Sequence, residues 1–284
     1  QELPLAVTTE LTNSVYNNLI NEYRQSGQEI KAEQLINNAQ TPAGYQPFKL
    51  DIKGATAYAF VAYDPSSVNP IGPAYFDTDF PGTITSLGPN GAGDFIAGGS
   101  WAEGVWYGEE YGTGALYTLD PSSGAMNLVG YGSAAGGFNA IAYDVTTLTM
   151  FGCDYNGASC GLYSIDLTSG ANTYIGDVGL GALVIGLACD ASGNLYAADL
   201  FTDVLISVDK ATGAGTVIGP LGININYAQD LEYDNENDVL YLAGYTSTGQ
   251  LYTVDPSTGA ATYVGDFQGG AEMCGLAFEF DAVQ

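Results

Sequence analysis

Histidine is absent from the 284 residues, and five lysines and arginines face 32 aspartates and glutamates. The first absence removes the usual base of a serine nucleophile and the commonest zinc ligand. The second leaves a formal charge of −27, which repels nucleic acid and excludes it as a partner. Four of the five cations, Arg24, Lys31, Lys49 and Lys53, precede residue 54, so Lys210 stands alone in the remainder. No run is long and apolar enough to span a bilayer, and no membrane insertion is expected. Cysteine is scarce, at four residues. Cys153 and Cys160 flank the turn-prone Asp154-Tyr155-Asn156-Gly157 and are expected to form a disulfide across a hairpin. Cys189 and Cys274 lie in apolar runs and are read as small buried hydrophobes.

What the chain has is glycine (39), tyrosine (21) and a hydrophobic fraction of 46%, enough for a substantial core built from short strands and tight turns. The acidic balance fits solubility in an extracellular or salty setting, or Ca²⁺ binding by some of the acids. Ca²⁺ is the one cofactor expected. Gln1 in place of Met is read as the mark of a removed signal peptide, and the protein is expected at the cell surface as a monomeric domain of a larger protein.

Self-similarity decides the fold. Leu116-Tyr-Thr-Leu-Asp120-Pro-Ser-Ser-Gly124, Leu162-Tyr-Ser-Ile-Asp166-Leu-Thr-Ser-Gly170, Leu205-Ile-Ser-Val-Asp209-Lys-Ala-Thr-Gly213 and Leu251-Tyr-Thr-Val-Asp255-Pro-Ser-Thr-Gly259 align without gaps. Phe60-Val-Ala-Tyr-Asp64-Pro-Ser-Ser is a weaker fifth copy. The recurrent Asp falls at 64, 120, 166, 209 and 255, spacings of 56, 46, 43 and 46. One four-stranded propeller blade takes ~40–50 residues.

Each copy is an alternating strand closed by turn residues and followed by a second strand, such as Thr173-Tyr-Ile-Gly176. A further pair lies upstream, best seen where Gly186-Leu-Ala-Cys-Asp190 leads to Leu195-Tyr-Ala-Ala-Asp199. Ala140-Ile-Ala-Tyr-Asp144 and Asp230-Leu-Glu-Tyr-Asp234 are its counterparts. Four strands per unit predict an all-β, five-bladed propeller of four-stranded antiparallel blades over 47–284. Cys274-Gly-Leu-Ala-Phe-Glu-Phe-Asp281 matches an innermost strand but has no hairpin after it, so it is expected to complete the first blade. In that blade Phe48 to Lys53 would supply the second strand and residues 57–76 the outer hairpin. Residues 1–46 are expected to be helical, because Leu11, Val15, Leu19, Ile20 and Tyr23 recur at helical spacing.

The segment from Gly186 to Asp199 resembles the repeat of NHL propellers, and Leu-Tyr-Thr-Val-Asp-Pro-Ser-Thr-Gly is similar to the YVTN and related repeats of bacterial and archaeal surface propellers. The resemblance implies a secreted repeat propeller. It implies no single activity, since such folds host hydrolases, lyases, adhesins and scaffolds.

Glu110, Asp154 and Asp199 end second strands at equivalent places, where they could hold Ca²⁺, bind a sugar, or cap their own turns. Asp234-Asn-Glu236-Asn-Asp238 is a weaker cation loop or a solvated turn. Aromatic residues in expected loops, Tyr75, Phe76, Phe80, Trp101, Trp106, Tyr111, Tyr155, Phe201, Tyr227 and Tyr245, suit stacking on a sugar or contact with a protein. The irregular stretch 66–104 is the foremost expected binding loop. The leading expectation is a non-enzymatic extracellular binding or adhesion module that recognises a glycan or a protein through one face of the ring. A glycoside hydrolase or lyase using central carboxylates is the alternative.

Overall fold

The computed structural model describes residues 54–132, 137–155, 157–227 and 229–280. The expected N-terminal helices and the strand at Phe48 to Lys53 lie outside them. Over the described residues the chain forms five four-stranded antiparallel sheets.

The second sheet contains β4 (Ile96–Ala102), β5 (Val105–Glu110), β6 (Ala115–Leu119) and β7 (Met126–Tyr131). The third holds β8 (Phe138–Asp144), β9 (Thr149–Asp154), β10 (Gly161–Ile165) and β11 (Asn172–Asp177). In the fourth are β12 (Val184–Cys189), β13 (Leu195–Asp199), β14 (Val204–Val208) and β15 (Gly215–Pro220). The fifth comprises β16 (Asp230–Asp234), β17 (Val239–Tyr245), β18 (Gly249–Val254) and β19 (Ala261–Asp266).

The first sheet is made from both ends of this region, in the order β20 (Glu272–Phe278), β1 (Thr56–Tyr63), β2 (Gly72–Asp77), β3 (Ile84–Ser86). β20 pairs antiparallel with β1, Tyr63 opposite Glu272 and Ala57 opposite Phe278. The expected closure by the C-terminal strand is therefore present, and it leaves no unpaired strand at the junction.

The first blade corrects the sequence reading by one strand. Phe60 to Tyr63 belongs to the second strand of its blade, and Asp64 opens the loop after it. Asp64 Oδ1 accepts from the Ser66 amide at 2.8 Å and the Ser66 hydroxyl at 2.7 Å, the same bonds that Asp120 makes with Ser122. The Asp-Pro-Ser-Ser signature thus marks a turn and not a strand number. The true counterpart of Asp120 is Asp77, which ends the third strand and accepts from the Asp79 amide. Counting from it, the spacings become 43, 46, 43 and 46. The stretch 66–104 is accordingly not one loop, because it contains β2, β3 and β4.

Burial grades from axis to rim. Every residue of β4 and β20 is buried, whereas β7, β11 and β19 have no buried residue. Small residues line the axis because neighbouring backbones touch there. A Cβ on Gly99 would lie 2.3 Å from the Gly275 carbonyl, and one on Gly186 would lie 2.4 Å from the Leu231 amide.

The rim has a seam of its own. Gly130, Gly176 and Gly219 on the outer strands each lie against the lower turn of the next blade. A Cβ there would fall 1.9, 1.9 and 2.1 Å from the carbonyls of Ser169, Thr212 and Thr258. The repeated Ser-Gly and Thr-Gly dipeptides thus close a hairpin and receive the preceding blade.

Candidate functional site

Inner strands run from the face where they start, termed upper, to the opposite, lower face. The lower face is made of turns inside each hairpin. Asp120, Asp166, Asp209 and Asp255 each accept there from the amides two residues on, at 2.8 Å. Those bonds hold all four carboxyls below the usual range. Asp144, also on this face, is fully buried and pairs with Lys210 of the next blade. Burial pushes its carboxyl up, but Lys210, Thr146 and Thr147 outweigh that and hold it at about 2.

The upper face is made of the loops after second and fourth strands, and these differ from blade to blade. The expected metal ligands Glu110, Asp154 and Asp199 all end second strands here. The structure does not bring them together. Glu110 accepts from the Asp94 amide at 2.7 Å and from the Thr113 hydroxyl. Asp154 accepts from the Gly161 amide at 2.9 Å and the Tyr163 hydroxyl at 3.1 Å. Asp199 takes the Leu183 and Phe201 amides at 2.8 and 3.1 Å and the Thr202 hydroxyl at 2.5 Å. Each carboxylate orders its own loop, and among the described residues no three His, Cys, Asp or Glu side chains group to hold a metal.

The expected aromatic residues separate into two sets. Phe76, Trp101 and Trp106 are buried, which corrects their assignment to binding loops. Trp101 and Trp106 pair across β4 and β5 and pack on Tyr58 at ring distances of 5.4 and 5.3 Å, filling the seam between blades one and two. Phe76 lies edge-on to Phe267 at 5.1 Å. Tyr75 is half-buried beside Tyr58, and Phe80 sits in the lower turn after β2.

The second set lies on the upper face in pairs. Tyr111 stacks on Phe95 at 5.0 Å, Tyr155 meets Phe201 edge-on at 5.8 Å, and Tyr227 meets Tyr245 edge-on at 5.8 Å. Tyr227 is 70% exposed, Phe201 57% and Tyr111 45%, so these rings present their surface to solvent. Tyr63, Val68, Ile71 and Leu180, which the sequence reading passed over, are exposed on the same face. In contrast, Leu148 is the sole large apolar residue in the exposed set that sits in a lower turn of the described residues.

The upper end of β5 also carries a buried acid that sequence reasoning missed. Glu109 lies where the third, fourth and fifth blades have Cys153, Ala198 and Ala243. It is almost wholly enclosed, its Oε1 has no hydrogen-bond partner, and burial together with the Glu110 charge pushes it up to about 8. A lone acid among small apolar counterparts was the available signal.

The four cysteines are all free and buried. The disulfide expected between Cys153 and Cys160 is not formed. Cys153 pairs with Leu162 in the ladder, while Cys160 lies just before β10 and its sulfur accepts from the Val184 amide of the next blade at 3.0 Å. Cys189 and Cys274 fill apolar core positions as expected.

These features define a five-bladed β-propeller with an apolar, aromatic upper face. Residues 190–277, from the turn before β13 into the closing strand β20, match a family described as a domain of unknown function, DUF4394. No curated protein matches the chain. A similar solved structure is a structural genomics protein of unknown function from Bacteroides thetaiotaomicron VPI-5482, at 14% identity and a TM-score of 0.46. The similarity covers 74% of this chain and 50% of that one, so this chain spans about half of its length.

Proposed function

We propose that the protein is a non-enzymatic extracellular binding module that recognises a neutral glycan through its upper face. The observation that carries this reading is the set of three aromatic pairs, Phe95–Tyr111, Tyr155–Phe201 and Tyr227–Tyr245, on loops that the repeat does not dictate. Exposed rings of this kind stack on the apolar faces of sugars, while neighbouring hydroxyls and carboxylates bond to the sugar hydroxyls. The charge of −27 disfavours an anionic glycan, which is why the ligand is neutral.

Enzymatic use of the upper carboxylates has less support, because Glu110, Asp154 and Asp199 are each occupied by their own loops. A glycan array combined with a hydrolysis screen tests the reading. Binding to neutral glycans that weakens in Phe201→Ala and Tyr227→Ala, without turnover, is expected. Turnover abolished by Asp154→Asn or Asp199→Asn would replace it with a carbohydrate-active enzyme, and an empty array with retained capture of a purified surface protein would replace the glycan by a protein.

A further inference from the structure

The innermost strand of the fifth blade departs from its counterparts in one respect. Asp230 stands where the third and fourth blades have Ala140 and Gly186, and Glu232 where they have Ala142 and Ala188. The two acids alternate along β16 and therefore share one side of it. Both are buried.

Asp230 has its partners. Its Oδ2 accepts from the Gly99 amide at 3.0 Å and the Leu276 amide at 2.8 Å, and its Oδ1 from the Leu231 amide at 2.9 Å. Gly99 belongs to the second blade and Leu276 to the first, so this carboxylate sits at the axis and ties inner strands of three blades together.

Glu232 does not. Its Oε1 accepts from the Ser100 hydroxyl at 3.2 Å, while its Oε2 has no hydrogen-bond partner although the residue is only 5% exposed. A buried carboxylate oxygen left bare is among the costlier arrangements in a protein interior. Protonating it removes the charge but leaves the same oxygen without a partner. Lys210 is the lone Lys or Arg among the described residues, and it is engaged by Asp144 of the third blade. Among the described residues, no basic side chain therefore reaches the axis.

We propose that the axis of the propeller is a cation site in which Glu232 and Ser100 bind one Ca²⁺ beside the amide-bound carboxylate of Asp230. The donors present are all oxygen, the Glu232 carboxylate and the Ser100 hydroxyl, which also accepts from the Tyr143 amide at 3.0 Å, and oxygen is the ligand chemistry of a hard divalent ion. Ca²⁺ suits an enclosed site with irregular ligands better than Mg²⁺, which demands regular geometry and gives up water reluctantly. The site is independent of the upper face and of what that face binds.

The test uses the full chain, stripped with EDTA and returned to Ca²⁺, Mg²⁺ or Na⁺. Metal analysis after Ca²⁺ loading and desalting is expected to give one Ca²⁺ per chain, and the melting temperature is expected to rise by several degrees with Ca²⁺ and by much less with Mg²⁺. The near-isosteric Glu232→Gln removes both effects, whereas Glu110→Gln and Asp199→Asn keep them. A wild-type chain that retains no Ca²⁺ and shows no shift overturns the proposal, as does a shift that persists in Glu232→Gln. Loss of the shift in Asp199→Asn alone moves the site to the upper face and equally defeats it. Should Glu232→Gln fail to fold, the wild-type metal content and the response of Ser100→Ala decide.

Discussion

The lower turns and the upper loops are built from the same strands but obey different rules. On the lower face, Asp120, Asp166, Asp209 and Asp255 each accept from the amide two residues on, at 2.8 Å in every blade. On the upper face, the equivalent loops carry Tyr111, Tyr155, Phe201 and Tyr245, each in a different setting. Repetition within one chain thus acts as its own control. What recurs in every blade is what a blade needs in order to stand beside its neighbours, and what varies is free to serve recognition.

The sharpest break in that comparison is at the rim seam. Gly176→Ala would put a Cβ 1.9 Å from the Thr212 carbonyl of the following lower turn, a backbone atom that cannot yield. A loss of about 3 kcal/mol or more is expected from overpacking, read as a fall in the urea midpoint. Gly179, in the upper loop before β12, meets nothing within 4 Å but has a φ of 72°, so Gly179→Ala should cost about 1 kcal/mol from backbone strain alone. Equal losses at the two sites would erase the distinction between faces.

Lys210→Met is next in size. It leaves the fully buried Asp144 with its threonine partners but no counter-charge, for an expected loss of about 2–3 kcal/mol at pH 7. Because Asp144 is held at about 2 in the fold, below its ordinary 3.8, its contribution is present above pH 4 and fades as pH falls towards 2. Wild-type and variant melting curves should therefore converge in acid. A gap that stays constant to pH 2 would mean that Lys210 acts by packing.

The same division explains what could be read before the fold was known. Strand and turn chemistry repeats, so the five blades, four strands per blade and closure by the last strand were legible. The first blade was displaced by one strand because Asp64 builds the same Asx turn on the upper face that Asp77 and Asp120 build on the lower. Phe76, Trp101 and Trp106 read as loop residues because Gly72, Pro73, Gly98, Gly99 and Gly108 interrupt the alternation of their strands; in the fold their bulk fills the seams flanking the first blade. Glu109, Asp230 and Glu232 were visible only as exceptions, since aligning repeats draws the eye to what the copies share. That Glu110, Asp154 and Asp199 occupy equivalent positions was correct, but equivalence around a ring spreads them apart, and each strand end lies in its own blade.

Glu109 gives a smaller effect of opposite sign. Its folded value of about 8 lies above the ordinary 4.5, so stability is full below pH 4.5 and declines as pH rises towards 8 while the unfolded chain ionises and the fold does not. Glu109→Gln is neutral throughout and escapes that decline. The variant should match wild type near pH 4 and exceed it by on the order of 2 kcal/mol at pH 8. Melting profiles that run parallel from pH 4 to 8 would show the acid ionised in the fold and hydrated.

The smallest change in stability should come from the residues proposed to bind the ligand. Phe201→Ala and Tyr227→Ala remove rings that are mostly solvated and touch one partner each, so unfolding should shift by no more than about 0.5 kcal/mol. Binding to an array-identified neutral glycan should weaken about five- to thirtyfold, since a ring stacked on a sugar contributes on the order of 1–2 kcal/mol that no neighbouring side chain replaces. The lower-face Leu148, 64% exposed, serves as the matched control: Leu148→Ala should alter neither quantity. Binding lost equally in all three variants would show that exposure alone, and not the upper face, sets the response, whereas loss confined to Phe201 and Tyr227 separates the surface that recognises from the turns that hold the ring together.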